Sequence, residues 1–238
     1  MKHLGQEMTY KKRISAILSL LNNGLYEREE IITITLLSAL AEQNIFLFGP
    51  PGTAKSLISR RLYKAFETNH YFEHLMQKFS TPEEVFGPIS ITELKKDNYI
   101  RKTEGFLPEA EFAFLDEIWK SSPAILNTLL TIINEKKFKN GSEIKSVPLK
   151  VLISASNETP PENQGLDALY DRFLTRVLVP PVTERNNFET ILQNGSSSDK
   201  IVIPNNLKIK NKELQKWKEH INKIKLSADS LNIINGIR

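Results

Sequence analysis

Apolar residues along the chain follow two different rhythms, and the order in which these alternate predicts the fold. Ile14, Ile17, Leu18 and Leu21 recur at helical spacing, and Asn22-Asn23-Gly24 supplies a stop, so an amphipathic helix is expected to end there. A second helix is expected over residues 27–41, with acidic residues in its first turn. Ile45-Phe46-Leu47-Phe48 is continuously apolar instead, as suits a parallel strand covered on both faces. It runs into Gly49-Pro50-Pro51-Gly52-Thr53-Ala54-Lys55-Ser56, after which Leu57, Ile58, Leu62, Ala65 and Phe66 return to helical spacing. Strand, glycine turn and helix in that order form the βα unit of an α/β fold.

The same rhythm returns twice. Phe112-Ala113-Phe114-Leu115 ends in Asp116-Glu117, and Val151-Leu152-Ile153 ends in Ser154-Ala155-Ser156-Asn157; both read as buried parallel strands. Between them a helix is expected, capped by Ser122 with Pro123 at its first position and Ile125, Leu126, Leu129, Leu130 and Ile133 on its apolar face. Lys137-Phe138-Lys139 and Glu143-Ile144-Lys145 flank Asn140-Gly141, which predicts a hairpin turning on those two residues. Residues 174–179 read as a further strand stopped by Pro180-Pro181, where the α/β unit closes. Thr183 is expected to cap a helix running to about Gln193, residues 194–199 read as a flexible break, and two helical stretches follow near 213–224 and 229–237. The chain thus divides into an α/β core over 1–181 and, over 182–238, a linker with the beginning of a helical subdomain that is cut short.

Composition narrows the class. At 238 residues, 40% hydrophobic and 25% charged, the chain has the balance of a globular protein with one substantial core and part of a second. The absence of cysteine excludes a disulfide scaffold, a thiolate zinc site and a cysteine nucleophile together. No apolar run approaches the roughly 20 residues that cross a bilayer, and the first residues lack the apolar stretch of a signal peptide, so the expectation is a soluble cytoplasmic protein. The net charge of +4 changes little, because residues 199–225 alone hold eight lysines against three acidic residues. The basicity sits in the tail, and a solvated helix face accounts for it.

The candidate chemistry lies at the strand ends. A phosphate-binding loop needs glycines that let backbone N–H groups turn inward, a lysine for the outer phosphates and a Ser or Thr hydroxyl for magnesium, all at a helix N-terminus. Residues 49–56 supply these with one departure: Ala54 stands where the strict pattern has glycine, which is acceptable if the backbone there is right-handed. Asp116, at the end of a neighbouring strand, can hold magnesium, and Glu117 can orient and polarise an attacking water. Asn157 reads either as a ligand to the γ-phosphate or the water, or as a turn former before Pro160-Pro161. Arg172 and Arg176 flank Phe173, as candidate phosphate ligands or as an exposed ion pair.

Residues 49–56, Asp116-Glu117, Asn157 and Asp171-Arg172-Phe173, in that order and spacing, resemble an AAA+ ATPase of the MoxR group. Gly24-Leu25-Tyr26-Glu27-Arg28, the run Phe79-Ser80-Thr81-Pro82-Glu83-Glu84-Val85-Phe86-Gly87-Pro88, Leu107-Pro108-Glu109-Ala110-Glu111 and Leu115-Asp116-Glu117-Ile118-Trp119-Lys120 are most similar to its RavA-type members. The resemblance implies a three-layer P-loop core in a hexameric ring, hydrolysing ATP to ADP and phosphate with magnesium and coupling this to chaperone-like remodelling of partners. It makes Gly49, Pro50, Pro51, Gly52, Thr53, Ala54, Lys55, Ser56 and Leu57 the nucleotide cradle, with Leu25 and Tyr26 beside the adenine. Ser56 and Asp116 become magnesium ligands, Glu117 the base, Asn157 the sensor and Arg172 a finger reaching into the neighbouring subunit. It also implies a helix-2 insert at about 86–106, a pre-sensor hairpin at about 136–150, and a lid continuing past residue 238 with a sensor 2 arginine. The partners implied are a von Willebrand factor A (vWA) protein of the ViaA type and, for some relatives, an inducible lysine decarboxylase.

Three other readings were weighed. His70-Tyr71-Phe72-Glu73-His74 has inverted zinc-protease spacing, but that needs a helix, and this aromatic segment reads as a strand. Lys136, Lys137, Lys139, Lys145 and Lys150 on or near the hairpin suit a nucleic-acid motor or loader, a reading disfavoured because polar hairpins are more often solvated or protein-contacting. A slow, nucleotide-gated scaffold is the third.

Overall fold

The computed structural model describes residues 2–68, 70–160, 166–194 and 200–237. The residues between 194 and 200, expected as a flexible break, thus lie outside the described residues. Seven strands are present among them: β1 (Ile45–Phe48), β2 (Tyr71–Leu75), β3 (Phe112–Asp116), β4 (Lys137–Asn140), β5 (Glu143–Ser146), β6 (Val151–Ser156) and β7 (Thr175–Leu178). The helices are α1 (Lys2–Asn22), α2 (Glu29–Leu40), α3 (Lys55–Leu62), α4 (Pro82–Phe86), α5 (Ile91–Leu94), α6 (Pro123–Glu135), α7 (Asp167–Tyr170), α8 (Arg185–Asn194), α9 (Asn211–Ile221) and α10 (Ala228–Ile237). Tyr71–Leu75 being a strand, His70 and His74 share no helical face.

Five strands form one parallel sheet in the order β2-β3-β6-β1-β7. The continuous apolar runs occupy its interior, where both faces must be covered. Side chains alternate between the faces: Ile45, Leu47, Phe112, Phe114, Val151 and Ile153 pack against α1, α2 and α3, while Phe46, Ala113, Leu115 and Leu152 pack against α6 and α7. The result is the expected α/β/α sandwich with one core on each side of the sheet.

Three local expectations are corrected. In the hairpin Asn140 pairs with Glu143, so Gly141 and Ser142 make the turn and Asn140 belongs to the strand. Its buried side chain is the reason: Oδ1 accepts from the Arg101 N–H at 2.7 Å and Nδ2 donates to the Arg101 carbonyl at 3.0 Å, which fastens the hairpin to the segment before β3. Thr183 does not cap α8 with its own oxygen. The Glu27 carboxylate does so from afar, accepting from the Thr183 N–H and Oγ1, the Glu184 N–H and Asn187 Nδ2 at 2.9–3.0 Å. Residues 201–217, read with the helical subdomain, pack into the core of the α1–α3 face through Ile203, Ile209 and Leu214. There α9 lies along the amino edge of the sheet: Lys218 pairs with Glu42 before β1, and Lys150, before β6, reaches both Glu111 and Asn211.

Candidate nucleotide site

The carboxyl ends of β1, β3 and β6 converge, and three of the predicted motifs meet there. Residues 49–54 leave β1 as a tight loop whose two glycines do different work. A side chain on Gly49 would meet the Val179 carbonyl oxygen at 2.2 Å, so glycine permits the close approach of the β7 end. Gly52 has φ +80°, which favours glycine on conformational grounds.

Ala54 does not have the right-handed backbone its methyl group led us to expect. Its φ and ψ are 70° and 21°, left-handed, a conformation that costs a non-glycine residue roughly 1–2 kcal/mol. It is the N-cap of α3, and among the described residues the N–H groups of Ala54, Lys55 and Ser56 donate to no acceptor. Three free amides at a helix N-terminus form a cradle for an anion. Lys55 is buried, its Nζ donating to the carbonyls of Gly49 (2.6 Å) and Pro50 (2.9 Å). Burial pulls its pKa below the usual lysine value, while Asp116 and Glu117 oppose that shift. The Ser56 hydroxyl accepts from Arg60 at 3.3 Å. Thr53 Oγ1 closes the loop on the Pro50 carbonyl at 2.9 Å.

Asp116 ends β3, and burial raises its pKa, opposed first by the Glu117 N–H that donates to Oδ1 at 3.0 Å and then by Lys55, while the Glu117 charge adds to the rise. Glu117 turns the chain with φ 52°, a second left-handed non-glycine residue at this edge. Its carboxylate accepts from Ser156 Oγ at 3.4 Å and lies 3.4 Å from Lys120 Nζ. Ser156 ends β6 beside Phe48, and its carbonyl accepts the Gly49 N–H, so one residue links the loop to Glu117. Asn157 follows it, exposed at the same edge.

Ser156 was not singled out from sequence; a hydroxyl closing an apolar strand was its only signal. Arg28 was also missed in this role. It is 3% exposed, with Nε on the Thr53 carbonyl (3.2 Å) and its two terminal nitrogens on the carbonyls of Glu27 and Pro180 (2.6 Å each). Leu25 is buried in the core of the α1–α3 face, which leaves half-buried Tyr26 as the side chain of that stretch with surface to offer a base.

Arg172 is elsewhere. It precedes β7, whose first residue pairs with the first of β1, so it stands at the amino edge, with its carbonyl accepting from Asn44 at 3.4 Å. Its guanidinium is exposed and has no partner among the described residues, whereas Arg176 lies 3.9 Å over the Tyr170 ring and bonds the carbonyls of Tyr170 and Phe173. Of the hairpin lysines, Lys150 is engaged with Glu111 and Lys136 is half-buried, leaving Lys137, Lys139 and Lys145 outward.

Residues 12–219 match the family model of the MoxR domain in the MoxR-vWA-beta-propeller ternary systems. Two relatives from Methanocaldococcus jannaschii, the uncharacterized proteins MJ0812 and MJ0079, are 42% and 44% identical over 90% and 86% of this chain. The chain spans 59% and 52% of their lengths. The structural protein ORF618 of Acidianus two-tailed virus is 34% identical over 67% of this chain and 26% of its own length. Among solved structures, a candidate ATPase from Cytophaga hutchinsonii superposes with a TM-score of 0.72 at 18% identity, covering 95% of this chain and 68% of that one. NtrX from Brucella abortus, solved with ATP, gives 0.53 at 17% identity, over 71% and 41%. Among the described residues no helix is long and apolar enough to cross a membrane. With the glycine loop, the Asp116-Glu117 strand end and the five-stranded parallel sheet already in place, the family match identifies the chain as a member of the MoxR family.

Proposed function

We propose that the protein binds ATP with magnesium at the carboxyl edge of its sheet and hydrolyses it in a ring of identical subunits, a hexamer, to remodel or mature a partner protein. One observation carries this reading: Lys55, Ser56, Asp116, Glu117 and Asn157 gather at one edge of the sheet while Arg172 stands exposed at the other. An arginine so placed serves a nucleotide held by a second copy of the chain.

In this reading the amides of Ala54, Lys55 and Ser56 and the Lys55 ammonium hold the β- and γ-phosphates. The oxygen donors Ser56 and Asp116 suit magnesium, and the like-charge repulsion and burial felt by Asp116 are what a divalent cation would relieve. Magnesium there would neutralise charge on the phosphates. Glu117 accepts a proton from water as the water oxygen attacks the γ-phosphorus; the bond to the bridging oxygen breaks, and ADP departs with the electron pair. Asn157 orients the water, and Arg172 of a neighbour stabilises the charge spreading over the transferring group. Tyr26 flanks the adenine.

For the partner, the family description joins MoxR to a vWA protein, which supports a vWA-domain partner; the ViaA type is the finer reading, resting on the resemblance to RavA-type members alone. The stretches shared with RavA-type members support a chaperone-like role and leave an inducible lysine decarboxylase as a client to test. The deciding experiment follows ATP turnover over a wide range of protein concentration, with and without Arg172→Ala. Specific activity should rise with concentration and fall about 10³-fold in the variant, with ADP affinity unchanged. Activity that is constant per subunit and indifferent to Arg172 would overturn the ring.

A further inference from the structure

The phosphate loop contains a contradiction that its own residues do not resolve. Ala54 is left-handed, at φ 70°, where an L side chain resists. Yet the peptide before it has to be held in one orientation for the amides of residues 54–56 to present a cradle. Thr53 Oγ1 bonds only back to Pro50, and the Lys55 ammonium holds the start of the loop, at Gly49 and Pro50. Among the described residues the single side chain bound to the Thr53–Ala54 peptide is Arg28, 25 residues earlier in the chain.

The geometry of that contact decides what it does. No peptide bond among the described residues is cis, so the Thr53 carbonyl and the Ala54 N–H lie in one peptide plane and point in opposite directions. Arg28 is buried beneath the loop, so drawing the carbonyl inward turns the Ala54 N–H outward. The other end of the guanidinium is anchored by the carbonyls of Glu27 and Pro180. Pro180 directly follows Val179, the residue whose carbonyl crowds Gly49. One planar group therefore ties the end of β7, the start of α2 and the strained peptide into a rigid frame. A lysine could satisfy one of these three acceptors but not all three at fixed angles.

We propose that Arg28 is a positioning residue for the phosphate loop: it holds the Thr53–Ala54 peptide in the orientation a glycine at 54 would adopt unaided, and so compensates for the alanine there. This rests on the nucleotide reading above. It adds a dependence that the loop motif does not contain, namely that Ala54 and Arg28 work as a pair.

The pairing is testable with four proteins: the wild type, Arg28→Lys, Ala54→Gly and the double variant. ADP affinity is measured by calorimetry, and hydrogen exchange is followed in peptides spanning residues 49–57. Arg28→Lys should weaken ADP binding about tenfold and speed exchange in the loop, with the melting transition still cooperative. Ala54→Gly alone sets the reference for its own effect on the cradle, and in the Arg28→Lys background it should restore most of the affinity lost to Arg28→Lys. Overturning results are an Arg28→Lys protein with wild-type affinity and exchange, or a double variant no better than Arg28→Lys alone. If the wild type binds no ADP, the nucleotide reading fails by itself. Loop exchange in Arg28→Lys and its slowing in the double variant then still decide the positioning role.

Discussion

The two edges of the parallel sheet are built on opposite electrostatic plans. At the amino edge the carboxylates are paired locally, Glu42 with Lys218 and Glu111 with Lys150, although Glu42 is left-handed and burial lowers the pKa of Lys136 beside it. At the carboxyl edge they are left in tension. Lys55 and Asp116 are desolvated with both pKa values moved toward the neutral form, and Asp116 has Glu117 as a like-charged neighbour, Glu117 itself lying 3.4 Å from Lys120 Nζ. Desolvated charge of this kind persists only where surrounding structure over-determines it, and it collects at functional sites. Arg172 is the exception at the amino edge, an exposed guanidinium without a carboxylate among the described residues. Under the proposed function the chemistry belongs to the carboxyl edge and Arg172 serves another copy of the chain.

After Arg172→Ala, the largest expected effect tests the division of labour at the carboxyl edge. Glu117→Gln keeps the shape of the side chain and removes the base, so ATP turnover should fall by at least about 10²-fold while ATP affinity stays within a few-fold of wild type. Turnover that survives the change places the base on another residue. Loss of binding together with turnover would instead mean that Glu117 is needed to shape the loop.

A smaller effect of opposite sign should come from Asp116. An ionised carboxylate half-buried next to another is tolerated for function at a cost in stability, so Asp116→Asn should remove like-charge repulsion and part of the desolvation penalty. Without magnesium or nucleotide the variant should be more stable by on the order of 1 kcal/mol, about 2–4 °C in melting temperature for a chain of this size. The same variant should lose ATP turnover. A lowered melting temperature would show that Asp116 is a structural acceptor, and the contrast between the edges would weaken accordingly.

How much of this was legible in the sequence depends on the distance over which each feature is set. The βα unit, the strand ends carrying Asp116 and Asn157, and the helix opened by Pro123 are local, and pattern alone places them. The features that resisted reading are fixed by distant partners. Asn140 and Gly141 are ideal turn residues, but Arg101, 39 positions earlier, claims the Asn140 amide and shifts the turn by one. Ala54 is left-handed because the loop around it is clamped, against its own preference. Arg28 was visible as part of a family-like stretch, yet its role depends on Pro180, 152 residues away. Local chemistry predicts the cradle; the clamps that hold it are long-range and invisible to periodicity.

Glu27 gives the smallest effect and the sharpest control, because its clamp lies outside the strained loop. Its carboxylate accepts four hydrogen bonds at the start of α8 and its pKa is lowered to about 2, chiefly by Asn187 Nδ2 and then by the Thr183 N–H, against the opposing effect of desolvation. A folded-state pKa below the unfolded one means that the contribution to stability is complete above the ordinary glutamate value of about 4.3 and declines as pH falls from there toward 2. Melting temperatures of wild type and Glu27→Gln should therefore differ most near neutral pH and converge on acidification, with ADP affinity at pH 7 the same in both. Parallel melting curves down to pH 3 would mean that the side chain caps α8 equally well when neutral. A drop in ADP affinity in Glu27→Gln would mean that the Glu27–Arg28 pair transmits the state of α8 to the phosphate loop, joining two regions that the edge comparison keeps apart.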